Sequence, residues 1–184
     1  MQETTAHDLT QMLVPGIDGS EWHVFRTRSR REKKAAELFA QMGLAHYLPL
    51  RDKVTRTSGR RFTSKVPLFP GYVFGCCDGG RRLQAMRSGC FAQWLEVTDQ
   101  EQFLRELRGI QLVTEHGADV QLYPQLQRGK WVQVVRGPLH GVVGRISRRS
   151  GRFRIVLELT ALQAAVAMEV DMQDVEPVDV EPEW

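Results

Sequence analysis

The spacing of apolar positions changes character several times along the chain, and each change marks an element. Residues 1–20 hold no sustained period and carry Pro15-Gly16 and Gly19, which predicts a flexible arm. Trp22-His23-Val24-Phe25 reads as a strand of large, β-favouring side chains with Trp22 and Val24 on one face. Ser29-x-x-Glu32 has the form of a capping box, able to satisfy free N–H groups at a helix start. Behind it Ala35, Leu38, Phe39 and Met42 fall at helical spacing until Gly43 stops the run. His46–Leu50 is a short extended run. In Arg51–Lys65 six basic residues face one acidic, with Ser58-Gly59 at the centre, which predicts a β-hairpin with a basic tip.

The strand within Pro67–Cys76 directs Val73 to one face and Tyr72 and Phe74 to the other. A short basic helix over Arg81–Arg87 ends at Gly89, and a strand follows over Phe91–Val97. Thr98-x-x-Glu101 repeats the capping-box form ahead of Phe103, Leu104, Leu107 and Ile110. The order β-α-β-β-α-β-α predicts an α+β fold: an antiparallel sheet with helices on one face and the other face open. Periodicity alone leaves two readings of Tyr72 and Phe74, as core residues or as aromatics presented on the open face.

From Arg128 the pattern turns to short strands: Trp131–Val135, Val142–Ile146, Arg152–Leu157 and Val166–Val170, divided at Gly137-Pro138 and Ser150-Gly151. These predict a small β-barrel over 128–178, joined to a first domain over 21–116 by a linker at 117–127 and followed by an acidic tail at 179–184. One stretch conflicts with this pattern. Leu157–Met168 (LELTALQAAVAM) is rich in helix-forming Leu and Ala where a barrel strand is expected.

Composition narrows the class. With 42% hydrophobic and 26% charged residues the chain is neither disordered throughout nor a membrane protein. No basic segment leading into an apolar core opens the sequence, so no export signal is read and a cytoplasmic location is expected. Cys76, Cys77 and Cys90 make an odd set with one adjacent pair, poor both as a disulfide framework and as zinc ligands. No Cys–His–Asp spacing points to a nucleophilic enzyme, and no metal or cofactor is expected.

The net charge of +3 is unevenly spread. Residues 21–116 hold 17 Lys and Arg against 10 Asp and Glu, whereas 117–184 hold 8 against 9. Arg26, Arg28, Arg30 and Arg31 surround the start of the first helix, Arg60 and Arg61 lie in the hairpin, and Arg81, Arg82 and Arg87 dress the second helix. A basic block of this kind suits phosphate contact, with a solvated face as the plainer reading.

In the second domain, Val132-x-Val134-x-x-Gly137-Pro138-x-x-Gly141-x-x-Gly144-x-Ile146 resembles the KOW motif of elongation factors and some ribosomal proteins. It stands behind a domain with Trp22, a helix ending at Gly43, and Phe69-Pro70-Gly71-Tyr72-Val73-Phe74. Together, over about residues 21–178, these resemble the NusG family, with an NGN-like domain and an SH3-like KOW barrel. The resemblance implies a monomeric, non-enzymatic factor whose first domain sits on the clamp helices of RNA polymerase near upstream or non-template DNA and reduces pausing. It makes Tyr72, Phe74, Phe69 and Trp22 candidates for polymerase contact, and Arg26, Arg30, Arg31, Arg60, Arg61, Arg81 and Arg82 candidates for nucleic acid. The KOW domain, with Val134, Gly137, Pro138, Gly141 and Gly144, would recruit termination factor Rho or a small-subunit ribosomal protein.

One loop departs from the family pattern. Where housekeeping members carry Phe-Gly-Arg, this chain has Ala161-Leu162-Gln163-Ala164, leaving Leu162 as the apolar contact. That is more similar to specialised paralogues such as RfaH or regulators of polysaccharide operons. Since RfaH-type paralogues can refold this domain into helices, Leu157–Met168 is a candidate for the same behaviour, opposed by Pro138 and the glycines. The rival reading is a ribosome- or RNA-associated KOW protein that binds RNA directly.

Overall fold

The computed structural model describes residues 13–57, 60–117, 120–123, 129–149 and 151–178. Two compact units emerge, one from residues up to Leu50 with Pro67–Leu104, the other from Arg51–Val66 with Arg105 onward. Among the described residues no helix is long and apolar enough to cross a membrane.

In the first unit β1 (Glu21–Thr27) lies between β5 (Tyr72–Cys77) and β6 (Phe91–Leu95), and β2 (His46–Tyr47) flanks β5, all antiparallel. Directly opposed residues share a face, so Trp22↔Cys76 and Val24↔Phe74 belong to one side and His23↔Gly75 and Phe25↔Val73 to the other. On the second side α1 (Glu32–Gln41) and α2 (Gly79–Arg87) pack through Ala35, Ala36, Phe39 and Ala85 onto Phe25, Val73 and Phe91. The Phe25, Phe39 and Phe91 rings meet at 5.0–5.1 Å between centroids. Gly75 permits this approach, since a Cβ there would lie 2.9 Å from the Phe39 ring.

The other side is not open, which corrects the sequence expectation. Trp22, Val24 and Phe74 are fully buried there. Phe103, near the start of α3 (Gln100–Glu115), meets Phe74 edge-on at 5.7 Å, so helices cover both faces rather than one. The reason lies in the apolar pattern of β1: EWHVFRT buries four consecutive residues, and a strand buried on both sides needs two covers. Of the predicted arm, residues 1–12 lie outside the described residues. Leu13 is buried, and the carbonyl of Val14 accepts the indole N–H of Trp22 at 2.8 Å.

The capping predictions need adjustment too. Arg31 occupies the N-cap of α1 without a side-chain cap bond, so the Ser29–Glu32 box does not form. At α3 the residue that caps is Asp99, whose carboxylate accepts the Gln102 N–H at 2.9 Å, not Thr98. The α2 helix begins two residues before the predicted start, with Asp78 accepting from Arg81 N at 2.9 Å.

The second unit contains the predicted hairpin, β3 (Leu50–Thr57) and β4 (Arg60–Pro67), almost wholly exposed and braced by a Lys65–Asp52 ion pair of 3.0 Å. It also contains a six-stranded antiparallel sheet ordered β12-β8-β9-β10-β11-β7. Its strands are β7 (Gln121–Tyr123), β8 (Trp131–Val134), β9 (Val143–Arg149), β10 (Arg152–Leu159), β11 (Ala164–Glu169) and β12 (Val175–Pro177). β7 falls inside the stretch read as a linker; it adds to β11 through Ala165↔Tyr123 to Ala167↔Gln121. Residues 179–184, the acidic tail, lie outside the described residues.

Leu157–Met168 is strand, turn and strand, whatever its helix propensity. Leu157↔Val166 and Leu159↔Ala164 pair across it, and Val156, Ala165 and Ala167 form a small buried cluster. Tertiary pairing overrides the local preference of Leu and Ala. The valines and glycines of the second domain do as their spacing implies. Val132 and Val134 are buried, Gly137 and Gly141 take φ of +79° and +92°, and Gly141 N–H closes the turn on Val134 O at 2.8 Å. Pro138 stays exposed between them.

Gly144 has no room to grow: a Cβ would lie 2.6 Å from the Val156 carbonyl oxygen and 2.8 Å from Ile155 Cγ1. Backbone cannot swing away as a side-chain tip can. Gly144→Ala is therefore expected to cost about 1–3 kcal/mol, read as a lower denaturation midpoint, whereas Gly109→Ala, inside α3 with open space at its Cβ, is expected to raise the midpoint.

Candidate functional site

The turn Phe69-Pro70-Gly71 and the loop that follows β1 lie side by side, because the β1–β5 ladder ends at Arg26↔Tyr72. Two hydrogen bonds tie the turn to β1 and to α1, and a third closes the turn on itself. Thr27 N–H donates to Gly71 O at 2.8 Å, Tyr72 N–H to Phe69 O at 3.2 Å, and Gly71 N–H to the Glu32 carboxylate at 2.7 Å. Glu32 thus serves the turn rather than the helix cap that its spacing suggested. A bond from an amide to an ionised carboxylate is stronger than a neutral one, so the turn and the start of α1 form one rigid piece.

That piece carries the exposed part of the predicted site. Tyr72 is half-buried, its ladder partner Arg26 is exposed, and so are Arg28, Arg30 and Arg31. Arg30 holds a left-handed backbone with φ of +58°, uncommon for a residue with a Cβ. The loop is tied down by Arg28 N–H to Cys90 O at 2.9 Å and Arg31 N–H to Arg28 O at 3.1 Å. The result is a half-buried Tyr72 paired in the ladder with exposed Arg26, followed along the chain by exposed Arg28, Arg30 and Arg31 on a hydrogen-bonded backbone.

The other aromatic candidates are not on this surface. Phe74 is fully buried among the rings of Tyr47, Phe69 and Phe103, and Phe69 is 4% exposed. Trp22 is fully buried, with its backbone bracketed by Gln100, which accepts Trp22 N–H at 2.8 Å and donates to Trp22 O at 2.9 Å. These three are core residues. Gln100 carried no sequence signal, since its partner is 78 positions away.

Two arginines are likewise committed internally. Arg81 donates to Met42 O at 2.8 Å, closing the C-terminal end of α1. Arg82 donates to His23 Nε2 at 3.1 Å and lies 3.8 Å from the centroid of the Trp94 ring, which in turn meets His23 edge-on. A guanidinium can only donate, so Nε2 must accept and His23 is neutral with its proton on Nδ1. Burial, then the positive charge of Arg82, pushes the His23 pKa below its ordinary 6.5. Burial lowers that of His46 as well. Arg87 is exposed in the last turn of α2, and Arg60 and Arg61 are exposed on β4 in the other unit.

The three cysteines are buried and free, and burial raises the Cys77 thiol to about 11, leaving it protonated at neutral pH. In the second unit Leu162 is half-buried in a 3-10 turn over Thr160–Leu162. The Glu106 carboxylate grips that turn, accepting Thr160 N–H at 2.9 Å and Thr160 Oγ1–H at 2.6 Å. Gln163, directly after it, has φ of +50°.

Residues 20–117, just over half of the chain, match the family model described as NusG, transcription termination factor nusG. Among solved structures, a chain of the MjSpt4:Spt5 complex is similar at 16% identity and a TM-score of 0.30, covering 85% of this chain and 96% of its own. No curated protein sequence matches.

The neutral state of His23 and His46 has a pH signature. With folded pKa values below 6.5, both bind more protons unfolded than folded once pH falls under that value. Their contribution is complete above pH 6.5 and is lost as pH falls through their folded values. Denaturant titrations are expected to show stability declining below pH 6.5, above the carboxylate range, and His23→Gln, which keeps an acceptor for Arg82, is expected to flatten that decline.

Proposed function

Because the chain belongs to the NusG family, we propose that it is a transcription elongation and antitermination factor that docks on the clamp helices of RNA polymerase through the surface around Tyr72. The observation that supports this reading most is the composition of that surface within the family segment. A half-buried Tyr72 lies opposite exposed Arg26, with exposed Arg28, Arg30 and Arg31 in the loop that follows, beside a turn held by Glu32. Aromatic anchors and arginines dominate binding energy at protein interfaces, and a rigid backbone spares the entropy of ordering them. Arg26, Arg30 and Arg31 reach non-template or upstream DNA beside the docked domain. Held across the main channel in this way, the factor reduces pausing.

It does so without chemistry of its own. Buried, protonated thiols such as Cys77 are unsuited to nucleophilic attack, and the reading calls for no cofactor. The second unit acts as a KOW module that recruits a further partner at the turn fixed by Glu106, with Leu162 as its apolar contact. Lacking the aromatic and the cation of Phe-Gly-Arg at that turn, the chain fits an operon-specific paralogue better than the housekeeping factor, and Rho or a small-subunit ribosomal protein is its weaker partner. It works in the cytoplasm as a monomer.

The burial pattern separates contact from support. Tyr72→Ala is expected to keep the fold and to weaken binding to purified core RNA polymerase by at least tenfold, about 1.4 kcal/mol, as for an interface anchor. Phe74→Ala, a fully buried ring, is expected instead to cost about 3–5 kcal/mol of stability. Undiminished polymerase binding by a well-folded Tyr72→Ala protein would remove the proposed docking surface.

A further inference from the structure

One short motif occurs twice in the chain. Arg56-Thr57-Ser58-Gly59-Arg60 in the first hairpin recurs, with Arg149 in place of Thr57, as Arg148-Arg149-Ser150-Gly151-Arg152 in the second unit's sheet; Phe153 follows directly, and Phe62 follows after Arg61. Both copies connect the strands of an antiparallel ribbon, β3–β4 and β9–β10. Charge counted over the whole second half hides the latter. Residues 145–154 contain five arginines and no acidic residue.

The geometry at β9–β10 separates these arginines into two groups. Arg145 is turned inward, 3.4 Å from Glu158 and 4.4 Å from the centroid of the Trp131 ring. Arg148 is exposed, sits opposite Phe153 in the ladder, and lies 5.3 Å from that ring's centroid. The ring steadies its guanidinium without neutralising it. Among the described residues no carboxylate pairs with Arg148. Arg152 and Arg154 share the single carboxylate of Glu169, at 2.8 and 3.2 Å, and two guanidiniums on one carboxylate keep a net positive charge. The Arg152 side chain is 70% exposed, against 19% for Arg154, so Arg152 is the one that reaches outward.

We propose that the β9–β10 end of the second unit binds the phosphate backbone of duplex DNA through Arg148 and Arg152. Charge complementarity selects a polyanion. The choice of duplex over single strand follows from Phe153: it is half-buried with Arg148 against it, so it offers no open ring on which a splayed base would stack. Phosphate contacts of this kind position the protein without reading sequence. The β3–β4 hairpin also exposes Arg56, Arg60 and Arg61, but its Phe62 is 55% exposed and lacks the cover that Arg148 gives Phe153. This inference stands apart from polymerase docking, which needs Tyr72 and none of these residues.

The test is fluorescence anisotropy of the full chain with a short labelled DNA duplex over a salt series. Arg148→Gln, at a position with no internal ion pair among the described residues, is expected to weaken binding and to lower the slope of log K against log salt by about 0.9, and Arg148→Gln with Arg152→Gln by about 1.8. Arg148→Lys is expected to retain the slope, and unrelated duplex sequences are expected to respond alike. Parent-like affinity and slope in the folded double variant would overturn the proposal. So would tighter binding of a single strand of the same length, or a loss confined to one duplex sequence. Binding of the double variant to core RNA polymerase, measured in parallel, is expected to be unchanged, which keeps this result distinct from the fate of the docking surface.

Discussion

The pairing of β1 with β5, from Glu21↔Cys77 to Arg26↔Tyr72, is the constraint from which the rest of the first unit follows. It places Phe25 and Val73 under α1 and α2, and Val24 and Phe74 under the first turn of α3. A central ladder buried on both faces has a fixed register, because a slip of one residue would exchange the two packing faces. The end of that ladder sets Tyr72 beside Arg26 and brings Gly71 within reach of Glu32. The exposed surface is therefore held by the core, through backbone hydrogen bonds and one charged acceptor.

The same constraint explains the division of labour among aromatics that the motif groups together. In FPGYVF, Phe69 and Phe74 are anchored in a cluster with Tyr47 and Phe103, while Tyr72 comes where the strand leaves the sheet. Each buried phenylalanine contributes about 1.5–3 kcal/mol of burial. Their role in recognition is indirect: they fix the strand that presents Tyr72. Likewise Arg81 and Arg82, basic by sequence, are stitches between α2 and its neighbours, with Met42 O and His23 as their partners.

Much of this was legible from residue order. Period-2 and helical spacing placed the strands and helices of the first domain, the hairpin at Arg51–Lys65, and four strands of the second. What stayed hidden depended on partners distant in sequence. The cover over Phe74 comes from Phe103, and the grip on Trp22 from Gln100, neither of which local periodicity can reveal. Glu32 looked like a capping residue because spacing alone cannot show that Gly71 is 39 positions away and closer to hand. The Leu and Ala content of Leu157–Met168 conflicted with the expected strand because propensity reports the isolated chain, whereas the pairing of β10 with β11 and of β11 with β7 decides the outcome. The resemblance to the NusG family, carried by FPGYVF and by the glycine spacing of the second domain, supplied the functional reading that periodicity left open, and the family match over 20–117 stands behind its first half.

The central claim is that Tyr72 is the exposed anchor on a surface whose other aromatics are buried. Hydroxyl-radical footprinting read by mass spectrometry tests it on the unmodified chain. Free in solution, Tyr72 is expected to be oxidised much faster than Phe69, Phe74 or Trp22, and its oxidation is expected to drop sharply when core RNA polymerase is added. Equal oxidation of Tyr72 with and without polymerase, or oxidation of Phe74 as fast as that of Tyr72 in the free chain, would contradict the account.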